Sequence, residues 1–146
     1  MEWIFKSSMK KLIPLNRLIV FYIACGLLVF ALEVYLQHYS RLQDTKIMWT
    51  PIIFGLTGGI MCLGVAIVFN RLSYYLFIIL MNLSILVGLM GLYFHNKWRY
   101  PAFADLLFHA KALHMEMLTT FTPLVAPAAF IALGVLGLSV AFYEKW

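Results

Sequence analysis

The sequence predicts an all-α integral membrane protein, with four transmembrane helices in a bundle and an amphipathic interfacial helix between helices three and four. Two observations lead to this fold class. The 146-residue chain is 64% hydrophobic and only 12% charged, about half the charge that an ordinary soluble domain carries. It also contains four long apolar runs, each close to the roughly 20 residues with which a helix crosses about 30 Å of hydrocarbon.

The apolar runs are the predicted membrane spans. They cover residues 18–36, 51–69, 72–94 and 123–143 and leave little of the chain over, so residues 1–146 are expected to form a single transmembrane domain. No small-residue cleavage site follows the apolar core of the first run, which predicts a retained helix and not a cleaved signal peptide. Cys25 and Cys62 fall near mid-depth of the first two runs and are interpreted as packing residues.

The amino end, residues 1–17, is a basic segment with Lys6, Lys10, Lys11 and Arg17. Its mixture of aromatic, basic and apolar residues is typical of a segment lying in the membrane interface, although a frayed basic tail is an equal alternative. Basic residues clustered before the first span favour a cytoplasmic amino end, and four spans then put both termini in the cytoplasm. The net charge of +5 indicates anionic lipid headgroups as partners, and not nucleic acid. We expect a bacterial inner membrane.

Small residues recur four positions apart within the spans, a spacing that lets helix backbones approach closely. These pairs predict helix association, within the chain or with other membrane proteins. They are Gly55 with Gly59, Ser84 with Gly88, Ala128 with Ala132, and Gly137 with Ala141. Asn82, near the centre of the third span, needs a hydrogen bond from another helix or from a partner chain.

The connector between spans three and four carries the predicted interfacial helix, residues 101–119. Apolar residues recur along it at helical spacing, while Asp105, His109 and Glu116 lie on the opposite face. Glu116 is about 10 Å along the axis from His109, too far for one small ion to bind both. We interpret this stripe as a solvated polar face.

The four histidines all fall on one side of the membrane if the chain crosses it four times, because the first and third connectors then lie together. The sharpest hypothesis is a site formed by Glu33, His38, His95 and His114. His38 with His95 would be the axial pair of a haem, or the imidazoles would bind zinc, copper or iron with Glu33 as a further ligand. The alternative is that these histidines are simply stable where apolar and aqueous environments meet.

Glu33, an acidic residue in the first of four short helices, is similar in this one feature to the small multidrug resistance transporters. The resemblance implies a carboxylate for which substrate and proton compete. The chain departs from that family in its greater length, its extended third connector and the position of Glu33 near an edge of the membrane. We make no assignment to the family.

The functional prediction is an accessory or assembly subunit of a larger membrane complex, without catalytic activity of its own. CxxCH, HExxH and P-loop motifs do not occur in the sequence. The alternative is a haem- or metal-binding redox protein that uses the histidines. A third hypothesis is a proton-coupled carrier of a small molecule or lipid, with Glu33 and Asn82 as the polar groups along its transport path. Expected partners are the lipid bilayer and either other membrane proteins or further copies of the chain.

Overall fold

The computed structural model of the chain describes residues 15–43, 46–68, 70–96 and 125–143. Within these ranges the chain is almost entirely helical. The four α-helices of the described residues are all long and apolar enough to cross a membrane, which confirms the prediction of four helices of spanning length and indicates an integral membrane protein. The helices are α1 (Leu15–His38), α2 (Trp49–Ile67), α3 (Arg71–Asn96) and α4 (Val125–Tyr143), and the short 3₁₀ turns Tyr39–Arg41 and Lys46–Met48 lie between α1 and α2.

Two predicted elements lie outside the described residues. These are the interfacial segment up to residue 14 and the connector helix at 101–119, with His109 and His114. Residues 15–17, which the sequence assigned to the interfacial segment, form the first turn of α1.

The junction between α2 and α3 differs by a few residues from the apolar pattern. The predicted span ran to residue 69, but α2 ends at Ile67 because Val68 has extended dihedral angles, φ −103° and ψ 92°. Asn70 then caps α3, since its Oδ1 accepts hydrogen bonds from the Ser73 backbone N–H (2.9 Å) and the Ser73 hydroxyl (3.1 Å). The predicted boundaries came from hydropathy alone, which does not detect a capping residue, so the observed helix ends differ from them.

The helices pack most extensively in two pairs, α1 with α2 and α3 with α4. Both pairs meet through glycines, because a Cβ on Gly55 would lie 2.9 Å from the Leu27 carbonyl oxygen and one on Gly88 2.6 Å from that of Pro127. Gly59, one turn after Gly55, meets Ala24, one turn before Leu27, so α1 and α2 are antiparallel. The glycines of α3 and α4 follow the same pattern. Gly26 of α1 meets Leu133, and Phe30, one turn later, meets Phe130, one turn earlier in α4, so α1 is antiparallel to α4 as well. Consequently α1 and α3 run one way, and α2 and α4 run the other.

Phe130 of α4 lies where the helices meet. Its ring is 1% exposed and contacts Phe30 of α1 (centroids 6.2 Å apart) and Phe54 of α2 (6.0 Å apart). Its carbonyl oxygen accepts a 2.7 Å hydrogen bond from the hydroxyl of Ser84, a fully buried residue of α3. Side chains from three helices therefore converge on one residue of the fourth.

Candidate functional site

The histidine pair of His38 and His95 lies at one end of the helices. His38 is the last residue of α1, and His95 precedes the last residue of α3. Because α1 and α3 run in the same direction, both side chains belong to the same end of the molecule. The ring centroids are 5.8 Å apart and the ring planes are inclined at 66°. Two of the four predicted site residues therefore lie in contact.

The orientation of His38 is fixed by its own helix. Its Nδ1 lies 3.0 Å from the Val34 carbonyl oxygen. A carbonyl can only accept, so Nδ1 carries the proton and donates, which leaves Nε2 as the unprotonated nitrogen of the neutral ring. Metal-binding histidines are commonly oriented in this way, with one ring nitrogen held by a backbone carbonyl and the other available to the ion.

The carboxylate of Glu33 is hydrogen-bonded within its own helix. Its Oε1 accepts a 2.9 Å hydrogen bond from Nε2 of Gln37. Glu33 and His38 are five residues apart, which separates them by roughly 140° around the helix, so they leave α1 on different sides. The side of α1 that presents His38 to α3 is therefore not the side that carries the carboxylate.

The number of ligands bears directly on the metal hypothesis. Among the described residues, no group of three or more His, Cys, Asp or Glu side chains lies close enough to hold one metal ion. His114 lies outside the described residues, so the set Glu33, His38, His95 and His114 stays a prediction.

Chemically, the histidine pair can supply two neutral nitrogen ligands. A tetrahedral zinc ion needs two more ligands at about 2 Å, from water or from other residues. Edge-to-face contact at this separation is also the arrangement that aromatic rings adopt without any ligand. The geometry thus permits metal binding and does not require it.

Asn82 and Glu33, the polar residues of the carrier hypothesis, lie in different environments. Asn82 is exposed on the outer surface of α3, and its Nδ2 donates a 2.8 Å hydrogen bond to the Ile78 carbonyl oxygen. Glu33 is half-buried near the end of α1. A carrier would need polar groups along one internal path, and the position of Asn82 lends no support to that role.

Sequence reasoning missed two groups at this site, the Gln37 carboxamide and the Val34 carbonyl. Both lie four residues from the side chain they contact. Because residues four apart are neighbours on a helix surface, this spacing was the signal that could have identified them.

Comparisons with protein-family models, with curated proteins and with solved structures find no match for this chain.

Proposed function

We propose that this chain is an accessory or assembly subunit of a larger membrane complex. In this proposal its four spans form a bundle in a bacterial inner membrane, with both termini cytoplasmic and residues 101–119 as an interfacial helix. Its contribution is structural, because it offers docking surfaces to partner helices.

The observation that carries the proposal is the outward placement of small and polar side chains. Ala128 and Ala132, one helical turn apart, are exposed on α4, whereas the Gly137 and Ala141 pair on the same helix is buried. Small residues that the described helices do not use in their own packing form a surface on which another helix can pack closely. Thr57 of α2, an exposed polar residue at mid-span, adds to this outward placement.

The interior supports a structural role over a transport role. The buried polar residues of the described helices are Asn16, Ser73 and Ser84. The first two lie near helix starts, and the Ser84 hydroxyl is hydrogen-bonded to Phe130. The described interior therefore offers a polar solute few groups with which to replace its water.

The test is co-purification from native membranes with a surface variant and a matched control. Ala128→Leu with Ala132→Leu enlarges the exposed face of α4, and we expect it to release partner proteins in mild detergent without lowering thermal stability. Ile60→Leu, at an exposed position of α2, is the control and should retain them. Identical partner recovery from wild type and the double variant, or no partner at all, would contradict the docking role.

The histidine pair favours a second candidate function. We propose as the alternative that His38 and His95 bind a transition metal or the iron of a haem, with further ligands from His114 or water. The support is the 5.8 Å approach of the rings and the carbonyl that orients the His38 ring.

This alternative is tested by metal analysis and visible absorption of gently solubilised protein. If it holds, the protein retains stoichiometric metal or haem, and His38→Ala and His95→Ala each abolish it. His109→Ala is the matched control, because it removes an imidazole that the proposed site does not use. A colourless, metal-free wild type that binds no added zinc would refute the alternative.

A further inference from the structure

Asn82 is a polar side chain facing outward at the depth of the hydrocarbon. It lies about 2 Å along the axis from the centre of α3. Within the part of the chain that the structure describes, its carboxamide makes one hydrogen bond, to the Ile78 carbonyl oxygen. A carboxamide has two N–H donors and a carbonyl oxygen with two lone pairs, so one donor and the oxygen have no partner there. Such groups are costly to leave in lipid.

The surface around Asn82 is a regular apolar stripe. The most exposed large hydrophobic side chains of α3, each at least 50% exposed, recur at alternating intervals of three and four residues, and Asn82 occupies the one position missing from this series. They are Leu72, Tyr75, Ile79, Leu86, Leu89 and Tyr93. These intervals are the a and d positions of a heptad, the pattern with which two helices pack side by side.

The stripe points away from the other described helices. Phe77 and Ser84 are each two residues from their nearest stripe residues, so they lie on the opposite face of α3. Both are fully buried against the other helices. The stripe is therefore available to another molecule without any rearrangement of the four helices.

The carboxamide of Asn82 indicates which molecule packs on the apolar stripe of α3. A carboxamide is both donor and acceptor, so it is complementary to a second copy of itself. Two copies inserted in the membrane with the same orientation can pair their α3 helices only in parallel, and packing in register then places equal heptad positions in the same layer. The flanking layers then pair leucine and isoleucine with their own kind, which satisfies the amide and packs the aliphatic residues together.

We propose that the chain self-associates through α3, with Asn82 hydrogen-bonded to Asn82 of the partner subunit in a parallel, heptad-packed pair. This interface uses α3, whereas the docking surface proposed for other proteins lies on α4. It does not depend on the accessory role, and either proposal can fail alone.

The test is sedimentation equilibrium of the full-length protein in density-matched detergent. We expect wild type to dimerise and Asn82→Leu to raise the dissociation constant about tenfold, because an interhelical hydrogen bond in a membrane is lost. Asn82→Gln, which keeps the carboxamide, should restore much of the affinity. Since Asn82 is exposed, its replacement leaves the fold of the monomer intact.

Thr57→Leu is the matched control. Thr57 is likewise an exposed polar residue at mid-span, and its hydroxyl donates a 2.7 Å hydrogen bond to the Ile53 carbonyl of its own helix. We expect no change in affinity. A wild type that is monomeric at every concentration, or an Asn82→Leu variant that dimerises as tightly as wild type, would overturn the proposal.

Oxidative cross-linking in membranes tests the register. Ile79→Cys and Leu86→Cys should each form disulfide-linked dimers well above the background from Cys25 and Cys62. Ile60→Cys, equally exposed on α2 (57%, against 55% for Ile79), should not. Equal cross-linking at all three positions would indicate random collision and would overturn the α3 interface.

Discussion

Ser84 joins α3 to α4 by a hydrogen bond from its buried side chain to the backbone of Phe130. Replacing Ser84 by alanine removes the donor and leaves a carbonyl that still accepts within its own helix. We expect the free energy of unfolding in detergent to fall by about 1 kcal/mol. Ser139→Ala is the control, because that exposed hydroxyl bonds its own helix at Val135, and it should change little. An equal loss in both variants would contradict a role for the interhelical bond.

At this same scale, the sequence identified residue types better than it identified their partners. It predicted that Asn82 needs a hydrogen bond, and the structure provides one from the same helix. It placed Glu33 and His38 in one site by their depth, which stays a prediction, and it did not consider that five residues along α1 separate them by roughly 140° around the helix. Depth can be counted along an apolar run, whereas direction depends on how each helix is rotated against its neighbours.

Among the helices, the closest approaches are set by glycines whose missing side chains admit a neighbouring backbone. Gly88→Ala would place a Cβ 2.6 Å from the Pro127 carbonyl oxygen, so α3 and α4 must separate. We expect the variant to lose about 1–3 kcal/mol of unfolding free energy. Gly64→Ala is the control, because nothing lies within 4 Å of its added Cβ. Thermal unfolding in detergent measures both, and a Gly88→Ala protein as stable as wild type would contradict the packing.

The small-residue spacing predicted which helices can approach closely, and it did not predict which pairs are used. Gly55 and Gly88 are buried against neighbouring helices, but Ala128 and Ala132 are exposed. In a soluble helix the apolar stripe marks the buried face, yet these helices are apolar on every side. Burial within the chain therefore follows from steric fit, which a single sequence does not reveal.

At the level of the whole molecule, the antiparallel order of the helices makes topology testable. With both termini cytoplasmic, reporter fusions to residues 1 and 146 should both be active in the cytoplasm. A cysteine at Gln43, which is exposed after α1, should react with an impermeant reagent from the opposite side. Labelling from the cytoplasmic side, or termini on different sides, would contradict the predicted orientation.

The most direct test of the accessory role is native mass spectrometry of the chain ejected from its own membrane. One spectrum records partner polypeptides, second copies, haem and metal together. We predict a complex that contains this chain and at least one different membrane protein, and that loses the partner in the Ala128→Leu, Ala132→Leu variant. The accessory role would be contradicted if the chain is found alone or only with copies of itself and carries stoichiometric metal or haem that His38→Ala removes. The histidine pair would then be the functional centre.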